Sequence, residues 1–102
     1  MIDLMKLEKT DLELEMDEHG TTPLVWAASE GNLEMTKFLV DLGANLESSD
    51  HYGTTALMAA AEQGRFDVAR YLVSQGASRT IIDSRGFTAL DCAVSRVEDL
   101  LE

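Results

Sequence analysis

The chain has 102 residues, of which 45% are hydrophobic and 26% charged. This is enough for one small folded domain or a short array of repeats. Nineteen acidic residues against eight basic ones give a net charge of −11. Such a field repels phosphate backbones and anionic lipid, so we expect neither nucleic acid nor a membrane surface as a partner. No apolar run reaches the roughly 18 residues of a membrane span. A single cysteine, Cys92, cannot close an internal disulfide, which fits a reducing compartment.

The negative charge is concentrated in the first half of the chain. Residues 1–49 carry a net −8 of the total −11, whereas residues 50–82 are neutral. One interpretation is a solubilising surface, since runs of charge usually face water. The other is that this half meets a protein partner with a basic surface.

Three similar segments follow one another at a step of 33 residues. They are Asp17-Glu18-His19-Gly20-Thr21-Thr22-Pro23-Leu24, Asp50-His51-Tyr52-Gly53-Thr54-Thr55-Ala56-Leu57 and Asp83-Ser84-Arg85-Gly86-Phe87-Thr88-Ala89-Leu90. Other residue types repeat at the same step, including the alanines at 27, 60 and 93. The chain is therefore predicted to be a stack of supersecondary units with repeats at 17–49 and 50–82, a shortened unit at 83–102 and a partial repeat or cap at 1–16.

Each unit contains the signals for a turn and two helices. The Asp-x-x-Gly sequence predicts a tight turn, and Thr22, Thr55 and Thr88 are placed to cap the first helix. Thr88 and Asp91 resemble a capping box. Gly31 and Gly64 are predicted to end the first helix. The second helix is predicted at Leu33–Leu42 and Phe66–Gln75, followed by Gly43 and Gly76.

Both ends of the array depart from the repeat. Asp11-Leu12-Glu13 is similar to Asn45-Leu46-Glu47, so residues 1–9 are predicted to be the remnant of a second helix. The apolar spacing after Ala89 predicts one continuous helix to about Leu101. The terminal units are either shortened caps or the cut ends of a longer repeat protein. Because the third unit lacks most of a second helix, we expect it to open first.

The pattern resembles the ankyrin repeat. The motifs that carry the resemblance are Thr22-Pro23-Leu24-Val25-Trp26-Ala27-Ala28 and Leu39-Val40-Asp41-Leu42-Gly43-Ala44-Asn45, with their counterparts one repeat later. It covers about residues 17–96 and implies an all-α solenoid of helix-turn-helix units joined by hairpin-like fingers. It further implies an intracellular, non-enzymatic protein-binding module, acting as an adaptor, an inhibitor or a regulatory subunit.

No catalytic, metal or cofactor motif accompanies this pattern. Phosphate-binding loops, nucleophile elbows and zinc-type spacings are absent from the sequence. His19 and His51 lie in neighbouring turns, but two histidines are a weak basis for a metal site. Cys92 is interpreted as a packed core thiol. We therefore expect neither enzymatic activity nor a cofactor.

The resemblance places partner contacts on the finger tips and the edges of the first helices. Aromatic residues and arginine at such exposed positions are frequent energetic anchors of protein interfaces. Ser29, Ser49, Ser95 and Arg96 occupy the same kind of position. The principal predicted contact residues are Glu18, His19, Thr21, Glu30, His51, Tyr52, Thr54, Glu62, Gln63, Ile82, Ser84, Arg85 and Phe87.

Two alternatives stay open at this point. Trp26 is interpreted mainly as a core residue, with exposure at an apolar end of the stack as the alternative. The chain as a whole could instead be a structural spacer that associates through its apolar ends, so its expected state is a monomer or a weak self-associating species.

Overall fold

The computed structural model describes residues 12–94. Its helices are α1 (Pro23–Glu30), α2 (Leu33–Leu42), α3 (Ala56–Glu62) and α4 (Phe66–Ser74). Residues 89–94 are also helical and begin the third unit. Within residues 12–94 the extended pairing is limited to one antiparallel bridge between Ser49 and Thr55. The architecture is the all-α repeat solenoid that the sequence predicts.

Threonine side chains begin the first helix of every unit. Thr22 Oγ1 accepts the Val25 N–H at 3.4 Å, and Thr55 Oγ1 accepts the Met58 N–H at the same distance. In the third unit Thr88 Oγ1 accepts the Asp91 N–H at 3.3 Å, while Asp91 Oδ2 accepts the Thr88 N–H at 3.0 Å. These bonds confirm the predicted caps, including the capping box.

In the first repeat the helices end where the sequence predicts. In the second repeat each helix ends one residue before its predicted end. Gly31 and Gly43 take the left-handed conformation directly after α1 and α2. By contrast, α3 and α4 are capped by Gln63 and Gln75, and a left-handed glycine follows each of them. The prediction that α4 extends through Gln75 is therefore one residue too long, because Gln75 already has the backbone geometry of a cap.

The core lies between an inner layer of α1 and α3 and the second helices α2 and α4. The most extensive packing joins α1 to α3, with α3 against α4 and α1 against α2. Ala27, Ala28 and Ala60 are fully buried, and their small side chains let neighbouring helices approach closely. Leu39 and Leu72 from the second helices fill the space between the layers.

A repeated carboxylate contact joins successive units behind the fingers. Glu47 Oε1 accepts the Ser78 N–H at 2.8 Å, and Glu13 Oε1 accepts the Asn45 N–H at 2.9 Å. Glu13 therefore makes the same kind of contact as Glu47, and the neighbouring Leu12 is buried. The predicted helical remnant at 1–9 and the predicted helix beyond 94 lie outside the described residues.

Candidate functional site

Three fingers, at residues 17–21, 50–54 and 83–87, project from one edge of the stack. In each, one carboxylate oxygen of the leading aspartate accepts two main-chain N–H bonds within the turn. The distances are 2.9 and 3.1 Å at Asp17, 2.9 and 3.0 Å at Asp50, and 2.9 and 3.0 Å at Asp83. The fingers are thus built by local bonds that recur with the repeat.

Main-chain bonds then tie the fingers to one another. The His51 N–H donates to the His19 carbonyl oxygen at 2.8 Å, and the Ser84 N–H donates to the Tyr52 carbonyl oxygen at 2.8 Å. Side chains reinforce the first contact, since His19 Nδ1 lies 3.2 Å from Tyr52 Oη. The three fingers therefore form one connected edge.

A groove runs between this edge and the inner helices. Its first pocket, of about 300 Å³, is lined by Asp17, Thr21, Val25, Trp26, Ser29, Asp50, Thr54, Ala59, Glu62 and Gln63. Its second pocket, of about 280 Å³, is lined by Tyr52, Thr54, Glu62, Asp83, Ser84 and Arg85. Because Thr54 and Glu62 line both, we treat the two as one concave groove.

The groove collects seven of the thirteen predicted contact residues. They are Thr21, Tyr52, Thr54, Glu62, Gln63, Ser84 and Arg85.

The other predicted residues lie around the groove or outside it. Glu18 and His19 are exposed at the first finger tip, and His51 is exposed on the second. His51 Nε2 donates to Glu15 Oε1 at 2.7 Å, so its ring turns toward the preceding unit. Ile82 is 59% exposed beside the third finger, and Glu30 is exposed at the end of α1. Ser95 and Arg96 lie outside the described residues.

Arg85 and Phe87 have internal contacts that the sequence did not predict. Arg85 Nη2 lies 2.9 Å from Asp83 Oδ2, and the guanidinium carbon lies 4.5 Å from the centre of the Phe87 ring. Phe87 is half-buried and packs against the core. Arg85 also approaches Glu62, at 3.9 Å. Both residues stabilise the third finger, and the guanidinium keeps part of its surface at the groove.

Other residues of the groove were missed or given another role. Asp17, Asp50 and Asp83 were interpreted only as turn residues, and Val25 and Ala59 were not singled out. Trp26 is half-buried against the core and also lines the first pocket. A groove role for the aspartates was indicated by their second carboxylate oxygen, because the turn uses only the first.

Local hydrogen bonds keep two of the finger carboxylates ionised. The Thr21 N–H bond is the main reason that the pKa of Asp17 lies below its usual value. Burial raises the pKa of Asp83, but bonds from the Phe87 N–H, the Arg85 guanidinium and the Arg85 N–H outweigh burial and lower it overall. The groove therefore carries negative charge at neutral pH.

Among residues 12–94, no three His, Cys, Asp or Glu side chains converge as metal ligands would. No helix in this range has the length and apolar character needed to cross a membrane.

Comparison with known proteins agrees with the fold. A family model described as ankyrin repeats (3 copies) matches residues 1–83 and again 46–102. The chain therefore belongs to the ankyrin-repeat family, as the resemblance indicated. Ankyrin repeats generally mediate protein–protein interactions, and the family is typically non-enzymatic.

One curated relative has a short region of high similarity. The chain is 51% identical over 35 residues to the regulatory protein SWI6 of Saccharomyces cerevisiae. The match covers 34% of this chain and 4% of the yeast protein. It is thus about the length of a single repeat.

Proposed function

We propose that this chain is a non-enzymatic binding module that holds a protein partner in the concave groove. The observation that carries the proposal is that two pockets sharing Thr54 and Glu62 together span the three units. The finger edge is already fixed by main-chain bonds from His51 and Ser84. A surface ordered in advance loses little conformational entropy on binding.

The charge of the groove favours a partner with a basic surface. Asp17, Asp50, Glu62 and Asp83 line it against one arginine, and the whole chain carries a net charge of −11. Exposed carboxylates at the rim, such as Glu18, extend the same field. Complementary charge of this kind mainly increases association rate and specificity.

The role that follows is regulatory. An adaptor, an inhibitor or a regulatory subunit would each use a rigid groove without chemistry of its own. The yeast relative is a regulatory protein, which supports this class. The single cysteine supports an intracellular location, in the cytoplasm or the nucleus. We expect no cofactor and no nucleic-acid partner.

Two glutamines provide a matched test of the groove. Gln63 caps α3 at φ −89°, ψ 1° and lines the first pocket, whereas Gln75 caps α4 at φ −90°, ψ 1° away from both pockets. Gln63→Arg and Gln75→Arg therefore make the same substitution on the same backbone geometry. Peptides that bind the intact chain would first be selected from a random displayed library. Their affinities for the chain and its variants would then be measured by calorimetry.

The proposal requires at least a tenfold loss of affinity in Gln63→Arg and less than a twofold change in Gln75→Arg. Circular dichroism would confirm that both variants are folded. Equal affinities for both variants would place the binding surface elsewhere. So would NMR titrations in which the selected peptides shift the amide signals of α2 and α4.

A structural role is the second candidate, because apolar side chains are exposed on the third-unit helix. Leu90 is 72% exposed and Val94 is 46% exposed. A spacer that associates through this surface would show a concentration-dependent mass in light scattering, abolished by Leu90→Gln. A constant monomer mass would remove this candidate.

A further inference from the structure

In the leading aspartates of the three fingers, one carboxylate oxygen has the same role throughout, whereas the role of the other oxygen differs. Oδ1 of Asp17, Asp50 and Asp83 accepts the two turn bonds in every finger. The second oxygen of each carboxylate is free of these bonds. The hydrogen-bond partner of this second oxygen therefore depends on which other side chains reach the finger.

In the third finger that partner is an arginine of the chain itself. Asp83 Oδ2 accepts from Arg85 Nη2 at 2.9 Å and from Arg85 Nε at 3.1 Å. The guanidinium also stacks on Phe87, and only 3% of the Asp83 side chain stays exposed. A buried carboxylate is thus matched by a planar cation held against an aromatic ring.

The first two fingers have the acceptor without the cation. His19 and Tyr52 stand at the places that correspond to Arg85. Within residues 12–94, no lysine or arginine side chain pairs with Asp17 or Asp50. Among these residues, Asp50 Oδ2 accepts no hydrogen bond. Asp17 is accordingly exposed and Asp50 half-buried, in contrast to Asp83.

Both of these aspartates line the first pocket of the groove. Glu62 adds a third carboxylate, and no basic residue is among the lining residues. Val25, Ala59 and Trp26 provide apolar and aromatic wall. Two arginines contact residues that line the pocket: Arg85 lies 3.9 Å from Glu62, and Arg65 Nε donates to the Ser29 carbonyl at 3.2 Å.

We propose that the first pocket binds one arginine side chain of the protein partner. The proposal rests on the proposed function and specifies the chemistry of what enters the groove. The guanidinium pairs with Asp50 and Asp17 as Arg85 pairs with Asp83, and its methylene stem lies along the apolar wall. Arginine is favoured over lysine because its planar fork can bond a carboxylate and stack on a ring at once.

The direct test is a titration with N-acetyl-L-arginine amide, followed by ¹⁵N–¹H NMR. Trp26 is the only tryptophan, so its indole signal reports unambiguously on the first pocket. Saturable shifts are expected at the Trp26 indole and the Thr54 and Gln63 amides, with a Kd on the order of millimolar for so small a ligand. The citrulline counterpart, neutral but nearly identical in shape, should give none.

A pair of aspartate variants distinguishes the effect of charge in the pocket on arginine binding from the effect of the chain's overall charge. Asp50→Asn keeps Oδ1 for the turn bonds and removes the negative charge from the pocket. Asp67→Asn makes the same change on α4, where Oδ1 caps the Val68 N–H at 2.9 Å. Asp50→Asn should weaken arginine binding at least fivefold, and Asp67→Asn should leave it within twofold. If Asp50→Asn unfolds, Glu62→Gln at the end of α3 replaces it with the same expectation.

The possible outcomes distinguish this inference from the proposed function. If the citrulline compound shifts the same signals equally, or if Asp50→Asn binds arginine as the unchanged chain does, the arginine pocket is wrong. Selected peptides that bind the groove yet lose no affinity when every arginine becomes citrulline would also overturn it while leaving the proposed function intact. Peptides that bind away from the groove would overturn the proposed function itself.

Discussion

Gly53 lies so close to the main chain of Asp83 that a Cβ atom at position 53 would stand 3.1 Å from the Asp83 Cα. This contact sits where the second finger meets the third, next to the bond from the Ser84 N–H to the Tyr52 carbonyl. The glycine therefore serves two purposes: it adopts φ +79°, and it lets two fingers approach. Both are needed for a continuous groove.

Replacing glycines in equivalent turns should separate these two purposes. Gly86 has φ +82° but nothing within 4 Å of an added Cβ. Gly86→Ala should cost about 1 kcal/mol of unfolding free energy from backbone strain alone. Gly53→Ala should cost about 2 kcal/mol, because the Asp83 main chain must also move. Urea unfolding of both variants measures the difference, and equal losses would show that the fingers do not press on each other at this point.

The carboxylate of Asp83 should make stability depend on pH. Its pKa is lowered in the folded chain, so it stabilises the fold above its unfolded pKa of about 4. That contribution is lost as pH falls through the lower folded value. Asp83→Asn should reduce stability at pH 7 by about 1 kcal/mol, since Arg85 is half exposed and partly screened.

The measurement is the unfolding free energy from pH 7 to pH 3, with Asp67→Asn as the control on an exposed helix start. The loss of stability on acidification should be smaller in Asp83→Asn than in the unchanged chain. Parallel curves for these two proteins would contradict the role assigned to the Asp83–Arg85 pair.

Amide hydrogen exchange should be slower in α3 than in the third-unit helix. Residues 56–61 are all buried between α1 and α4, whereas Leu90 and Val94 expose much of their side chains. Local opening of residues 89–94 exposes a smaller area of buried apolar surface than local opening of α3 does. Exchange followed by NMR should show lower protection at Cys92 than at Ala60. The reverse order would mean that the third unit is not the weakest part of the array.

Cys92 should react slowly with thiol reagents while the chain is folded. The thiol is buried, and this burial, followed by the charges of Glu62 and Asp83, raises its pKa. Labelling at pH 7 should be at least tenfold slower than in urea, since the thiolate is the reactive form. The labelling rate should match the opening rate measured by exchange at residues 89–94. Fast labelling of a chain whose exchange is slow would place the thiol at the surface.

The repeat, the caps and the turns could be predicted from the sequence because each depends on residues close together in the chain. Thr22 and Val25, or Asp50 and Thr54, are joined by bonds that span three or four residues. The same short-range logic placed α2 correctly at Leu33–Leu42. It failed by one residue at Gln75, where the geometry of the cap decides the boundary.

The groove depends instead on how units 33 residues apart stack, and only the tertiary structure decided that. Stacking brought Trp26 beside Asp50 and Glu62 in one pocket, although the sequence favoured a core role for Trp26. It also brought Arg85 of the third unit within 3.9 Å of Glu62 of the second unit. Residue types and spacing determined the family and the finger edge. The offset between successive units determined which side chains line the groove together, because a small rotation per repeat is set by packing of the whole inner layer.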